Sequence, residues 1–390
     1  MRAVQWFGKH DLRVENVPEP TIESPRDAIV KVTCSSICGS DIHIYDGLVF
    51  TMHKGDIIGH EFMGEVVQVG SAVRNLSIGD RVVVTATIAC GECFFCKREL
   101  FSLCDNSNPN AKDQEKLLQY STSGIFGYSH LFGGYAGSFA EFVRVPFADV
   151  GAIKVPYDVP DEKVIFLSDA LPTGYMAADN CHIQKGETVA VWGCGAVGLL
   201  AMLSAKRLGA GKVIAIDRFD YRLKTAQKHC GADHLINYEK QDVIGELKEL
   251  TNGHGPDSCI EAVGMEADAT GITDFYDRVK QAVKLETDRP HALRQAIGAC
   301  RKGGTVSVIG VYVGFIDKFP MGVAFNKALT ITSGQLYGQK YAPKLLKQVL
   351  KNEIDTSFLV TERISLEQVP KAFEKFRDKR NETIRQLVYP

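Results

Sequence analysis

Apolar and polar residues alternate in short runs through roughly the first hundred positions, and the runs are separated by Gly and Pro. The alternation predicts strands at Arg2–Trp6, Leu12–Val17, Ala28–Cys34, Gly64–Val69 and Arg81–Val84, the pattern of a compact β-barrel-like domain. From Glu187 the period changes. A buried strand at Thr188–Trp192 leads through a glycine-rich turn into a helix ending near Leu208, and a second strand follows at Val213–Ile216. Helices at Arg222–Cys230 and Val243–Leu250 then alternate with strands at Ser258–Ala262, Thr305–Ile309 and Leu329–Thr332. This order predicts an α/β unit built on a doubly wound parallel sheet.

Three stretches exceed that plan. Asn106–Ser138 is long, polar at first and then rich in Gly and aromatics (Tyr120, Phe126, Tyr128, Phe132, Tyr135), which predicts a pocket wall or lid before a strand at Ser138–Pro146. Between Val263 and Arg301 the chain is longer than a minimal βα connection. Phe275, Val279 and Val283 keep helical spacing there, and Ala292, Ile297 and Cys300 continue in a second helix. Beyond Ser333, Leu345, Leu346, Val349 and Leu350 mark an amphipathic helix, and Leu366–Phe376 marks another.

At 390 residues the chain exceeds one ordinary core, so two domains are expected. A net charge of −2 gives no electrostatic case for nucleic acid or an anionic membrane. The basic run Lys371–Arg380 is interrupted at helical spacing and reads as a solvated helix face. No signal-peptide core opens the chain and no apolar run reaches membrane-spanning length, so a cytoplasmic location is expected, with the sequons at Asn75 and Asn381 unused. In that compartment 11 cysteines are thiols or metal ligands rather than disulfides.

The cysteine spacing changes the picture most. Cys90, Cys93 and Cys96, with Cys104 after seven further residues, are dense enough to converge on one tetrahedral zinc. No coordination position stays open there, so the site braces a lobe rather than catalyses. A second set is dispersed: Cys38 among Gly39, Ser40, Asp41 and His43, and His60-Glu61 between Gly59 and Gly64. Imidazole and thiolate are common zinc ligands, and neighbouring carboxylates orient them. Asp169 follows Ser168 in Phe166–Tyr175, where it is either a carboxylate ligand or a helix N-cap. Gly193, Gly195 and Gly198, with Ala196 and Val197 between the last two, follow a strand and open a helix, and Asp217 stands about twenty residues on. Together they form a dinucleotide fingerprint. Asp217 would take the adenosine ribose hydroxyls, which favours NAD, whereas Arg218 and Arg222 can stack on adenine or pair with a phosphate. Cys194, within the loop, reads as packing.

The run G-H-E-x-x-G-x5-G-x-x-V from Gly59 to Val73 resembles the signature of the medium-chain, zinc-dependent alcohol dehydrogenases, and with the other motifs the resemblance covers nearly the whole chain. The Leu-x-Asp-x-Leu-Pro-Thr-Gly-Tyr run around Asp169 is most similar to the glutathione-independent formaldehyde dehydrogenases and formaldehyde dismutases. The resemblance implies a GroES-like β-barrel catalytic domain at 1–165 and 336–390, and a Rossmann coenzyme domain at 166–335. It implies two zinc ions: a structural one in the four-cysteine loop, and a catalytic one held by Cys38, His60 and Asp169. It gives Ser40 the substrate oxygen, Asp41 the orientation of His60, His43 the released proton, and Glu61 an approach to the ion when water or substrate leaves. Gly39 departs from members that hold an Arg there for the pyrophosphate. A small alcohol or aldehyde substrate, NAD and a homo-oligomer, tetramer rather than dimer, are implied as well. So is an insertion between Val263 and Arg301 that covers the cofactor and slows its exchange. Two rival expectations are a polyol dehydrogenase of the same fold and a catalytically idle binding protein.

Overall fold

A computed structural model describes residues 1–264, 290–312, 316, 318–378 and 382–390. The chain divides into two compact units, Met1–Pro172 with Leu336–Pro390, and Thr173–Gln335.

The first unit is built on a seven-stranded sheet. Its path runs Val360–Ser365, Arg385–Tyr389, Ala28–Ser36, Glu61–Val69, Arg81–Val84 and Ala152–Lys154, with Phe142–Val145 pairing to Ala28–Ser36. A smaller sheet joins Asp11–Asn16, Arg2–Gly8 and Asp56–Ile57. Along the central strand Val30 and Val32 are buried while Lys31 and Thr33 face water, the period-two pattern of a half-solvated antiparallel sheet. These valines pack with Phe62, Val66, Val82 and Val84 in one apolar cluster.

Four strands escaped the hydrophobic pattern: Asp56–Ile57, Ala152–Lys154, Val360–Ser365 and Arg385–Tyr389. The last two come from the tail, where only helices were expected. Both expected helices are present, at Gly338–Leu350 and Val369–Asp378. Glu362, Arg363, Arg385 and Gln386 break the apolar alternation of the tail strands because each has a polar partner: Glu362 pairs with Gln386 and Lys375, Arg363 with Glu162, and Arg385 with Glu61.

The aromatic connection is ordered. It contains a helix at Ala111–Leu118, and its second half lies against the first unit's core. The Phe126 and Phe62 rings meet edge-on at 5.3 Å. Tyr120 points elsewhere and is 56% exposed, so it is no part of the wall expected of this segment.

The second unit holds six parallel strands in the order His234–Asn237, Lys212–Asp217, Thr188–Trp192, Ser258–Glu261, Thr305–Val308 and Thr330–Ser333. In chain order this is 3-2-1-4-5-6, the doubly wound dinucleotide arrangement. Ala190, Ile214, Ile216, Cys259 and Val306 fill its interior. His234–Asn237 carries only two apolar residues and gave no strand signal. The helix expected at Phe275–Val283, and with it most of the proposed insertion, lies outside the described residues.

One glycine shows how tightly the first sheet is set. A β-carbon on Gly64 would lie 2.0 Å from the Lys31 carbonyl oxygen, a backbone atom that cannot step aside. Gly64→Ala should therefore destabilise the first unit by about 1–3 kcal/mol, read as a lower thermal midpoint by calorimetry. An unchanged midpoint would contradict this packing.

Candidate metal centre and cofactor loop

The central strand of the first unit ends at Ser36 and delivers Cys38 to the start of a seven-residue helix, Gly39–Tyr45. The hydrophobic pattern gave no helix there. The helix forms because the Cys38 backbone N–H donates to Asp41 Oδ2 at 2.8 Å, a reciprocal cap that closes the first turn. Asp41 is fully buried, and its other oxygen lies 3.1 Å from His60 Nδ1. In the neutral ring this carboxylate favours the tautomer in which Nδ1–H donates to Asp41 and Nε2 carries the lone pair a cation would take.

His60 Nε2 faces Ser40 Oγ at 3.3 Å and Asp169 Oδ2 at 3.3 Å. Asp169 sits between the turn Ile165–Ser168 and the helix Ala170–Asp179. One donor atom from each of Cys38, His60, Glu61 and Asp169 lies within 4.8 Å of the others. A thiol, an imidazole lone pair and two carboxylates packed so closely repel one another unless a cation joins them. Zinc accepts all three donor types, so the donor set fits that ion.

The electrostatics carry the same signature. Burial disfavours a charged His60, yet Asp41, Asp169 and Cys38 raise its pKa well above the ordinary value. Burial pushes Glu61 up to about 7, against the pull of Arg385 and with a further push from Asp169. Arg385 was not foreseen as a site residue. Its guanidinium donates to the Ile37 carbonyl at 2.7 Å and lies 3.1 Å from Glu61 Oε1. Nothing in the sequence flags it, because one Arg near the end of the chain pairs with a Glu 324 positions away. His43 is buried on the Ser40 helix, three residues further on.

The four clustered cysteines also converge, with donor atoms within 4.8 Å of one another. Backbone N–H groups of Cys90, Cys93 and Cys96 donate to the sulfurs of Cys104, Cys90 and Cys93 at 3.3, 3.3 and 3.5 Å. Partial burial raises the Cys93 thiol, but N–H donors from Cys96, Asp105 and Phe95 bring it to about 7. The sulfurs of Cys90 and Cys96 stand 3.9 Å apart, too far for a disulfide.

In the second unit the turn after Thr188–Trp192 holds Gly193 at φ +90° and Gly195 at the N-cap of Ala196–Arg207. A β-carbon on Gly198 would lie 1.8 Å from the Gly193 carbonyl oxygen, so the helix starts hard against the strand. Space above Gly195 is open, and the first-turn N–H groups, those of Ala196 and Val197 among them, have no side-chain cap. Such a terminus suits a pyrophosphate. Asp217 Oδ2 accepts the Cys194 N–H at 2.7 Å, and its Oδ1 accepts the N–H groups of Arg218 and Phe219 at 2.7 and 3.0 Å. The guanidinium groups of Arg218 and Arg222 stand over the Phe219 ring at 4.7 and 5.1 Å.

Residues 24–157 match the alcohol dehydrogenase GroES-like domain, and residues 196–273 match the zinc-binding dehydrogenase domain. A zinc-type alcohol dehydrogenase-like protein of Schizosaccharomyces pombe is 40% identical over 376 residues, covering 96% of this chain and 88% of the relative. The zinc-type alcohol dehydrogenase-like protein AdhB of Bacillus subtilis is 39% identical over 393 residues and 100% of both chains. Among solved structures, the alcohol dehydrogenase TADH from Thermus sp. ATN1 superposes with a TM-score of 0.83 at 33% identity, over 100% of this chain and 99% of that one. Likeness of this extent, joined to the two converging donor sets and the doubly wound sheet, makes the chain a member of the medium-chain, zinc-type alcohol dehydrogenase family.

Proposed function

We propose that the chain is a zinc- and NAD-dependent oxidoreductase that interconverts a small alcohol or aldehyde hydrate with its carbonyl product. The observation that carries this reading is the convergence of Cys38, His60 and Asp169 on one point beside Ser40. These three residues would hold the catalytic zinc, Cys90, Cys93, Cys96 and Cys104 the structural one. Bound zinc supplies a Lewis acid that lowers the pKa of a substrate hydroxyl, and bound NAD accepts the hydride.

The chain's own residues do the rest. Asp41 holds the His60 ring so that Nε2 stays available. Ser40 Oγ takes a hydrogen bond from the substrate hydroxyl, and its proton moves on to the His43 imidazole. Glu61, held by Arg385 and titrating near neutrality, is the carboxylate that approaches the cation as a ligand exchanges. On this reading the unit Met1–Pro172 with Leu336–Pro390 is the catalytic domain, and Thr173–Gln335 the cofactor domain. Gly193, Gly195, Ala196, Val197 and Gly198 would cradle the pyrophosphate. Asp217 would take the ribose hydroxyls, with Arg218 and Arg222 against the adenine end.

The Asp169 run supports formaldehyde, as its hydrate, among the substrates. A carboxylate in place of a thiolate leaves the cation more electrophilic, which suits a weakly acidic gem-diol. The enzyme of this reading is cytoplasmic; among the described residues no helix is long and apolar enough to cross a membrane. A homo-oligomer, tetramer rather than dimer, completes the proposal.

Asp169→Ala should lower turnover by at least about 100-fold. It should also cut protein-bound zinc, counted by atomic emission, from two ions per chain to one. Full activity with two ions retained would remove Asp169 from the ligand set, and an unsubstituted chain holding the structural ion alone would favour an idle protein. With NAD and NADP compared side by side, Asp217→Ser should erode the preference for NAD by about 10-fold or more, because the carboxylate no longer repels a 2′-phosphate. An unaltered ratio would take Asp217 out of the ribose site.

A further inference from the structure

At the carboxyl edge of the second unit's sheet an acid is buried that no motif singles out. Glu261 ends the strand Ser258–Glu261, in register with Trp192 on one side and Val308 on the other, and it is fully buried. Its Oε1 accepts the N–H groups of Val263 and Gly264 at 2.9 and 2.8 Å. Its own carbonyl accepts those of Ile309 and Gly310, each at 2.9 Å. Burial pushes its pKa up, and the N–H groups of Gly264 and Val263 pull the other way. Removing a carboxylate from water is unfavourable, and a residue that only filled space here would be apolar, like Cys259 and Ile260 before it.

The turns that Glu261 ties together touch backbone to backbone. A β-carbon on Gly310 would collide with the Gly264 nitrogen and lie 2.5 Å from Glu261 Oε2. On their other side they meet the glycine-rich turn. A β-carbon on Gly193 would lie 2.8 Å from Val263 Cγ2 and 3.0 Å from the Ala262 carbonyl oxygen. Ala262 is itself fixed by strand pairing, its N–H donating to the Trp192 carbonyl at 2.9 Å. Val263 and Gly264 lie beyond the strand, and the Glu261 side chain takes over from the ladder there.

In a sheet of this order a dinucleotide lies across the carboxyl ends of the strands, where the order reverses. Asp217 ends the second strand and Gly193 follows the first. With the ribose at one and the pyrophosphate at the other, the rest of the cofactor continues over the fourth strand, which Glu261 ends. We propose that Glu261 is a positioning residue for the nicotinamide end of the cofactor: by holding the N–H groups of Val263 and Gly264 it fixes the backbone on which that end is seated. It acts through the turn and touches neither cofactor nor substrate. The inference rests on the NAD-dependent reading above.

Two probes separate the halves of the cofactor: NAD, and ADP-ribose, which lacks the nicotinamide. Their binding to the full, zinc-loaded chain is measured by titration calorimetry. In Glu261→Leu, similar in size but without an acceptor, the Kd for NAD should rise by about 10-fold or more, while that for ADP-ribose stays within about 2-fold. Glu261→Gln keeps an acceptor oxygen and should return the NAD Kd to within about 3-fold of the unsubstituted value. A purely structural role would move both ligands together or neither. Hydrogen exchange on the unsubstituted chain needs no variant to fold: NAD should slow exchange at the Val263 and Gly264 amides, and ADP-ribose should not. An unchanged NAD Kd in Glu261→Leu, equal weakening of both ligands, no rescue by Gln, or equal protection of those amides by both ligands overturns the positioning role and leaves the dehydrogenase reading standing. Binding of neither probe to the unsubstituted chain overturns the NAD-dependent reading and this inference with it.

Discussion

Electron-pair donors crowded together without protons between them repel, and the first unit is organised around one such crowd. Asp41 occupies His60 Nδ1 and so turns Nε2 toward a carboxylate oxygen 3.3 Å away. Cys38 completes the group, and its backbone is capped by the same Asp41. One buried carboxylate therefore sets both the thiol and the imidazole. A cation at their centre would convert the repulsion into attraction, which is the physical reason to propose one there.

The fold holds that arrangement by backbone contact. Gly59, beside His60, is met by Gly127, and Gly137 lies equally close to Ile58, leaving no room for a side chain at either position. The aromatic segment thereby reaches the donor set. From the other side Arg385 reaches in from the C-terminal strand, bonding Ile37 and pairing with Glu61. Burying that guanidinium is tolerable because Glu61 neutralises it and the Ile37 carbonyl takes one of its N–H groups. Segments far apart in the chain thus converge on one donor set, and the proposed metal ligands gain rigidity from groups outside it.

What could be read in the sequence followed from how local each feature is. The four cysteines span 15 positions, Cys90 to Cys104, and the glycine-rich turn sits between its own strand and helix, so spacing alone carried both. Dispersed features needed more. Cys38, His60 and Asp169 were joined only through a family pattern, since no periodicity links a thiol, an imidazole and a carboxylate so far apart. Arg385 and the strands Val360–Ser365 and Arg385–Tyr389 were not legible. Each takes its meaning from a neighbour supplied by tertiary packing. The helix Gly39–Tyr45 was missed for a smaller reason: its cap is a cysteine backbone paired with Asp41 rather than a conventional Ser or Thr.

The central claim is that one divalent cation is shared by Cys38, His60 and Asp169. Diffraction from zinc-replete crystals at the zinc absorption edge tests it most directly. Two anomalous peaks per chain are predicted, one among the four clustered cysteines and one bonded to Cys38 Sγ, His60 Nε2 and an Asp169 oxygen. A single peak at the cysteine cluster, with the Asp169 carboxylate turned away from His60, would contradict the account.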